Sequence, residues 1–163
     1  MRILGIDPGV WEFAWAVYDP RCNEVIRWGY DQCTDQSEAL GLACCEDIRV
    51  VIEDIVGMWQ RGKTVAETLK TIGWLQAKMP YAVRIPRQTV KSVLTGSVRT
   101  NDAAVNLALG RLVPNMNGKR RGLTGHHRAA AAVAYVGVGR LQRQKIEERF
   151  LENTSCTEKE NLR

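Results

Sequence analysis

At 163 residues, with 45% hydrophobic and 25% charged side chains, the chain is long enough for one domain whose core needs no disulfide, and too balanced for a disordered or fibrous protein. No run is apolar enough to span a bilayer, and five cysteines, odd in number and without zinc-ribbon or thioredoxin spacing, read as free thiols of a reducing compartment. The net charge of +5 is unevenly placed: Arg84 to Lys145 holds twelve Lys or Arg residues and one acid, Asp102, so the remainder is net acidic and one part of the surface suits a polyanion.

Arg2 to Asp7 is an apolar run that ends in Asp-Pro-Gly, a strand running into a turn rather than a leader, and the expected location is the cytoplasm. Glu12 to Tyr18 and Val25 to Tyr30 are the next strands, joined near Asp19-Pro20 as a hairpin. Ser37 caps a short helix to Cys45. Arg49 to Val56 is a second apolar strand, interrupted by Glu53 and Asp54. Thr64 to Met79 repeats apolar residues at helical spacing until Pro80 stops it, and Tyr81 to Ile85 is a strand. Helices follow over Arg87 to Leu94 and Asn101 to Leu112, then a polar, basic loop from Pro114 to Gly125. Thr124 precedes a last long helix from about Gly125 to Phe150. The order is a mixed α/β pattern, with one domain over residues 1–151 and a polar tail, 152–163, expected to be disordered.

Two carboxylates interrupt this apolar pattern. Ile3, Gly5 and Asp7 share one face of their strand, so Asp7 must be paired, solvated or bound to metal. Adjacent strand residues face opposite ways, so at most one of Glu53 and Asp54 shares the face of Asp7. Two strand-borne acids in separated strands are what a two-metal phosphodiesterase needs, since hard oxygen ligands hold its divalent ions. In the last helix, Ala130, Ala134, Gly137 and Leu141 form a small-residue stripe that should pack on the sheet. His126 falls on that stripe one turn earlier, whereas His127 points about 100° away.

Taken together, Ile3-Leu4-Gly5-Ile6-Asp7-Pro8-Gly9, Val51-Ile52-Glu53, Pro86-Arg87-Gln88-Thr89-Val90-Lys91, the Gly96 turn and the His126 helix start resemble the RuvC family of Holliday-junction resolvases. The likeness covers roughly residues 1 to 140 and implies an RNase H-like fold, a homodimer, four-way branched DNA as substrate, and Mg²⁺ or Mn²⁺, two ions per site, held by Asp7, Glu53 and His126. The family's last motif places an aspartate three residues after the acid or histidine; here that place holds Ala129, which cannot bind metal. The family also often has a lysine near the position of Asp102, and Arg99 is the expected substitute for its charge.

The expected phosphate contacts are Arg61, Lys63, Lys91, Arg99, the Lys119-Arg120-Arg121 loop and Arg128. Met58 and Trp59, by resemblance, are candidates to insert at the junction centre. Two functions compete: a resolvase that cuts DNA, and a protein of the same fold that binds branched DNA without cutting it because Ala129 leaves the site incomplete. An RNase H-like ATPase or a ribonuclease fits less well, since no further phosphate-binding glycine loop is present and the basic half suits DNA at least as well as RNA.

Overall fold

In the computed structural model, residues 1–55, 62–117 and 123–160 are described, the side chains of residues 145 and 147–160 aside. Three strands run in sequence: β1 (Arg2–Pro8), β2 (Glu12–Asp19) and β3 (Glu24–Gln32). They form an antiparallel meander, while β4 (Ile48–Asp54) pairs in parallel with the other edge of β1, and β5 (Val83–Pro86) in parallel with β4. The resulting five-stranded mixed sheet has the order β3-β2-β1-β4-β5.

The two-residue period of the strands divides their side chains between two cores. Leu4, Ile6, Trp15, Val50 and Ile52 point to one face, where they meet Ala39 and Ala43 of α1 (Glu38–Ala43) and Leu75 of α2 (Lys63–Lys78). Ile3, Ala16, Val51 and Ile85 point to the other. There they meet α3 (Arg87–Thr95), α4 (Asp102–Leu112) and the start of α5 (Gly125–Glu160). The helix α5 runs on past residue 152, where the sequence reading ends the folded domain.

Small residues set how close α5 comes to the sheet. Ala130, Ala131, Ala132 and Ala134 are fully buried. A Cβ at Gly5 would lie 2.1 Å from the Ala130 carbonyl oxygen and 2.7 Å from the Ala134 nitrogen, and one at Gly137 would lie 2.8 Å from Val51. Helix and strand backbones thus touch at Gly5, which seats α5, at Ala130 and Ala134, against the middle of β1.

Two elements depart from the sequence reading. The expected loop after Leu112 contains a short 3₁₀ turn, Pro114–Met116, with Met116 fully buried. The Asn115 amide explains it: Oδ1 accepts from the Val25 N–H and Nδ2 donates to the Val25 carbonyl, so one side chain imitates a neighbouring strand. Tyr81 lies outside β5, because its hydroxyl reaches across to donate to the Ala43 carbonyl. Among the described residues no helix is long and apolar enough to cross a membrane, and Cys22, Cys33, Cys44 and Cys45 are free thiols.

Candidate active site

The parallel register of β1 and β4 pairs Ile6 with Ile52, which sets Asp7 beside Glu53 one residue further on, at the carboxyl ends of both strands. Such ends are where open α/β sheets bind ligands. Both acids point to the α5 face, and both are buried. Asp54 takes the opposite phase and pairs with Arg84, Oδ2 to Nη2 at 2.8 Å. Alternation along β4, with Val51 packed under α5, places Glu53 rather than Asp54 on that face.

The first turn of α5 brings His126 to the same place. Its Nδ1 lies 2.9 Å from Asp7 Oδ2. The imidazole is 72% exposed, and its ring also lies edge-on to Tyr30 of β3, with centroids 6.3 Å apart. Asp7, Glu53, His126 and Ala129 line one open pocket of roughly 800 Å³. Ala129, one helical turn on from His126, presents a methyl group where a carboxylate would face both acids.

Burial, and then the charge of Asp7, push the Glu53 carboxyl up to about 8, against the pull of Arg87. The two carboxyls are close enough to share a hydrogen bond. Two acids side by side in low dielectric do not both ionise readily without a cation between or beside them. One cation is already there: Arg87 Nη1 donates to Glu53 Oε2 at 2.7 Å, and its Nη2 lies 2.8 Å from Asp102 Oδ1. Lys91 Nζ donates to the Thr100 carbonyl at 2.9 Å and lies 3.5 Å from the same Asp102 oxygen. Burial works to raise the Asp102 carboxyl, but Arg87 and Lys91 outweigh it and hold it below the usual carboxylate range. Arg87, Lys91 and Asp102 all line the pocket.

His127 has a different task. It is 4% exposed and stacks edge-on against Tyr30, with ring centroids 4.3 Å apart. Its Nδ1 accepts from the Thr124 N–H at 3.0 Å, so the proton sits on Nε2, which bonds the Gly29 carbonyl. Burial, helped by neighbouring His126, lowers its pKa and keeps it neutral, as an acceptor at Nδ1 requires. Thr124 is thus the residue before the helix, and His127 reaches back to its N–H as the third-position partner of a capping box.

The other expected contacts are more dispersed. Lys63 opens α2 on the surface, outside the pocket lining. Arg99 is exposed on the turn before α4, outside the described pocket lining, in which the cations are Arg87 and Lys91. Arg128 donates Nη1 to the Met116 carbonyl at 2.7 Å, away from the acids. Met58, Trp59, Arg61, Lys119, Arg120 and Arg121 lie outside the described residues. Arg87 is the site residue that the sequence reading quoted but gave no role. Trp11 was also passed over: it is 53% exposed between Val10 and Glu12, which line the pocket, and sits at φ 59°. The Thr71 hydroxyl holds that unusual backbone by accepting the Trp11 N–H.

As a metal site the constellation fits in part. Two carboxylates and an imidazole at the mouth of an open pocket are donors that suit Mg²⁺ or Mn²⁺. Among the described residues, however, no three His, Cys, Asp or Glu side chains already form a cage for an ion.

No family model and no curated relative matches the sequence. Solved structures do. Thermus thermophilus RuvC matches with a TM-score of 0.59 at 16% identity, over 83% of this chain and 92% of that one. The same protein in complex with Holliday junction substrate matches with a TM-score of 0.58. Fowlpox virus resolvase, solved with substrate Holliday junction DNA, matches with a TM-score of 0.52 at 18% identity, over 86% of this chain and 99% of that one. The chain therefore has an RNase H-like fold. Its architecture is similar to those of RuvC and the fowlpox virus resolvase.

Proposed function

We propose that the protein is a structure-selective endodeoxyribonuclease that resolves four-way DNA junctions by metal-dependent hydrolysis. The observation that carries this reading is the pairing of Asp7 and Glu53 at adjacent strand ends, with His126 on Asp7, in a fold shared with two Holliday-junction resolvases. In the reaction a water oxygen bonds to phosphorus, the bond to the 3′ oxygen breaks, and a 5′ phosphate and a 3′ hydroxyl remain. A bound Mg²⁺ or Mn²⁺ would supply Lewis acidity and stabilise the negative charge on the phosphoryl and leaving oxygens. Asp7 and Glu53 are the residues that hold it, with His126 beside them.

The chain's own groups do the rest. Asp7 accepts the Nδ1 proton of His126 and fixes its tautomer. That leaves Nε2 free to ligate or to take a proton from water. Lys91, Arg99, Lys63 and the loop around Lys119, Arg120 and Arg121 contribute phosphate contacts that position DNA without reading its sequence. Met58 and Trp59 are the candidates to enter the junction centre. A homodimer sets two such sites against two strands of like polarity. A cytoplasmic location belongs to the same reading.

A labelled four-way junction incubated with Mg²⁺ or Mn²⁺ tests it. Paired nicks in opposing strands, abolished by Asp7→Asn, are expected; an uncut junction with Asp7 intact would overturn cleavage. Ala129 in the pocket favours one second reading, a protein that binds branched DNA and cuts it slowly or not at all. In that case the junction shifts in a gel with no product.

A further inference from the structure

The Trp11 turn carries an inference that rests on the nuclease reading and deepens it. Val10 and Trp11 form the tip of the turn from β1 to β2, closed by the Gly9 N–H donating to the Glu12 carbonyl at 2.8 Å. Trp11 takes φ 59° there; the other non-glycine residue with positive φ among those described is Asn23, a type that enters this region readily. For a bulky side chain the same backbone is strained, and a hairpin turn ordinarily puts glycine or asparagine at such a place. Burial does not explain the tryptophan. Trp15 is buried and Trp28 and Trp74 are partly buried, whereas Trp11 is half-exposed. Its backbone is nonetheless fastened on both sides: the N–H donates to Thr71 Oγ1 at 3.1 Å, and the carbonyl accepts from the Cys33 N–H at 3.1 Å. The fold thus holds an indole out to solvent, on a fixed and strained backbone, between two residues that line the pocket of Asp7 and Glu53. We infer that Trp11 is a stacking platform for one unpaired nucleobase next to the phosphate that is cut.

The surroundings of the ring select that occupant. Lys70 Nζ lies over the indole, 5.9 Å from the ring centroid, and steadies it as a cation beside a π face does. Lys70 is itself paired with Glu67 Oε1 at 2.9 Å, and Glu12, next in the chain, is an exposed acid. These charges do not sum to an anion site, so what the place offers is the face of the ring. Thr64 and Thr68 of α2 line the pocket, and Thr71 of the same helix holds Trp11, so one helix flanks both. Bases inside a duplex are covered on both faces by their neighbours and offer only edges, so an aromatic face here fits a base that has left the stack. A four-way junction supplies such a base at its branch. Stacking tolerates any base, which suits selection by DNA structure rather than by sequence.

The test measures binding in EDTA, so it does not depend on cleavage. A labelled four-way junction, and a linear duplex with the sequence of one arm, are titrated with the parent, Trp11→Gly and Trp11→Phe. Trp11→Gly should bind the junction about tenfold more weakly and the duplex within about twofold of the parent, with an unchanged salt slope, since a stack releases no counterion. Trp11→Phe keeps a ring and should bind the junction within about threefold of the parent. 2-Aminopurine placed at the branch should be quenched by the parent and at least about twofold brighter with Trp11→Gly. Because glycine suits a positive φ, Trp11→Gly should melt within about 5 °C of the parent. A larger fall would make the indole a structural support and overturn the inference. Unchanged junction binding by Trp11→Gly, or 2-aminopurine equally bright with both proteins, would also overturn it and leave the nuclease reading standing. So would an equal loss on junction and duplex. A parent that binds no four-way junction would bring down the nuclease reading itself.

Discussion

Ala129→Asp is the substitution that most sharply separates the roles assigned to the pocket. Position 129 is half-buried, one turn from His126, and its Cβ looks into the space shared with Asp7 and Glu53. Without metal, a third carboxylate there meets like charges at about 6 Å; at an effective dielectric near 20 each ionised neighbour costs about 3 kcal/mol. Arg87 offsets part of this, so a net loss of about 2–3 kcal/mol is expected above pH 8. For a chain of this size that lowers the melting temperature by roughly 5–10 °C. With a divalent ion the sign reverses, since the added charge becomes a ligand. The variant should be less stable than the parent in EDTA, gain more from millimolar Mn²⁺, and cut four-way junctions at least a hundredfold faster. Thermal unfolding with EDTA or Mn²⁺, and single-turnover cleavage under the same conditions, measure both. If the variant folds and binds junctions but shows neither the loss in EDTA nor the larger gain with Mn²⁺, the side chain at 129 is outside the electrostatic reach of the acids and the reasoning fails.

Gly5→Ala should cost at least about 3 kcal/mol in urea unfolding, because its methyl group would collide with α5 backbone at 2.1 Å, and an unchanged midpoint would contradict the close approach of β1 and α5. Glu53 is an acid raised from 4.5 to about 8. The native state therefore holds a proton that the unfolded chain releases, and metal-free stability should fall across that range by up to roughly 1.4 kcal/mol per pH unit. Glu53→Gln should flatten the slope, and an equal slope in both proteins would deny Glu53 its burial. His126→Ala should abolish cleavage with little change in melting temperature, while His127→Ala should lose about 1–2 kcal/mol of stability through its cap; calorimetry of the two would expose a reversed assignment. Neutralising Lys119, Arg120 and Arg121 together should flatten the salt dependence of junction binding by up to about three counterions' worth, and an unchanged slope would show that the loop does not touch phosphate.

Local periodicity made much of this molecule legible. Strand alternation was enough to say that at most one of Glu53 and Asp54 faces Asp7, because a strand has only two faces; naming Glu53 took the resemblance of Val51-Ile52-Glu53 to the resolvase motif. The alanine and glycine stripe of α5 announced close packing, since only small side chains let helix and sheet backbones meet. Contacts between residues far apart in the chain were not legible. Nothing in the run Pro86-Arg87-Gln88 says that Arg87 will lie between Glu53 and Asp102, which depends on how β5 leads into α3 and how α4 returns beside it. Asn115 imitating a strand neighbour for Val25 is equally hidden, because the partner is ninety residues away. The helical wheel gave the direction of His126 but not its exposure, since a wheel does not say what lies beside the ring.

The adjacent histidines and the adjacent acids follow one logic. At the carboxyl end of β1 the fold concentrates negative charge in a place too dry to leave it unanswered, and it answers in three ways: a proton on Glu53, the guanidinium of Arg87, and the imidazole of His126 on Asp7. These answers differ in what an arriving ion can displace. The proton on Glu53 can leave, so on the metal-dependent reading proposed above ion binding at neutral pH would release it and would tighten as pH rises toward 8. The His126 bond to Asp7 can be exchanged for a ligand bond, because the ring is exposed and its helix turn is fastened independently by His127. Arg87 has no proton to give up and is tied at its far side to Asp102, so it stays. Fastening the turn with one histidine leaves the other free to move, and holding Glu53 with a fixed cation leaves Asp7 as the carboxylate most open to exchange.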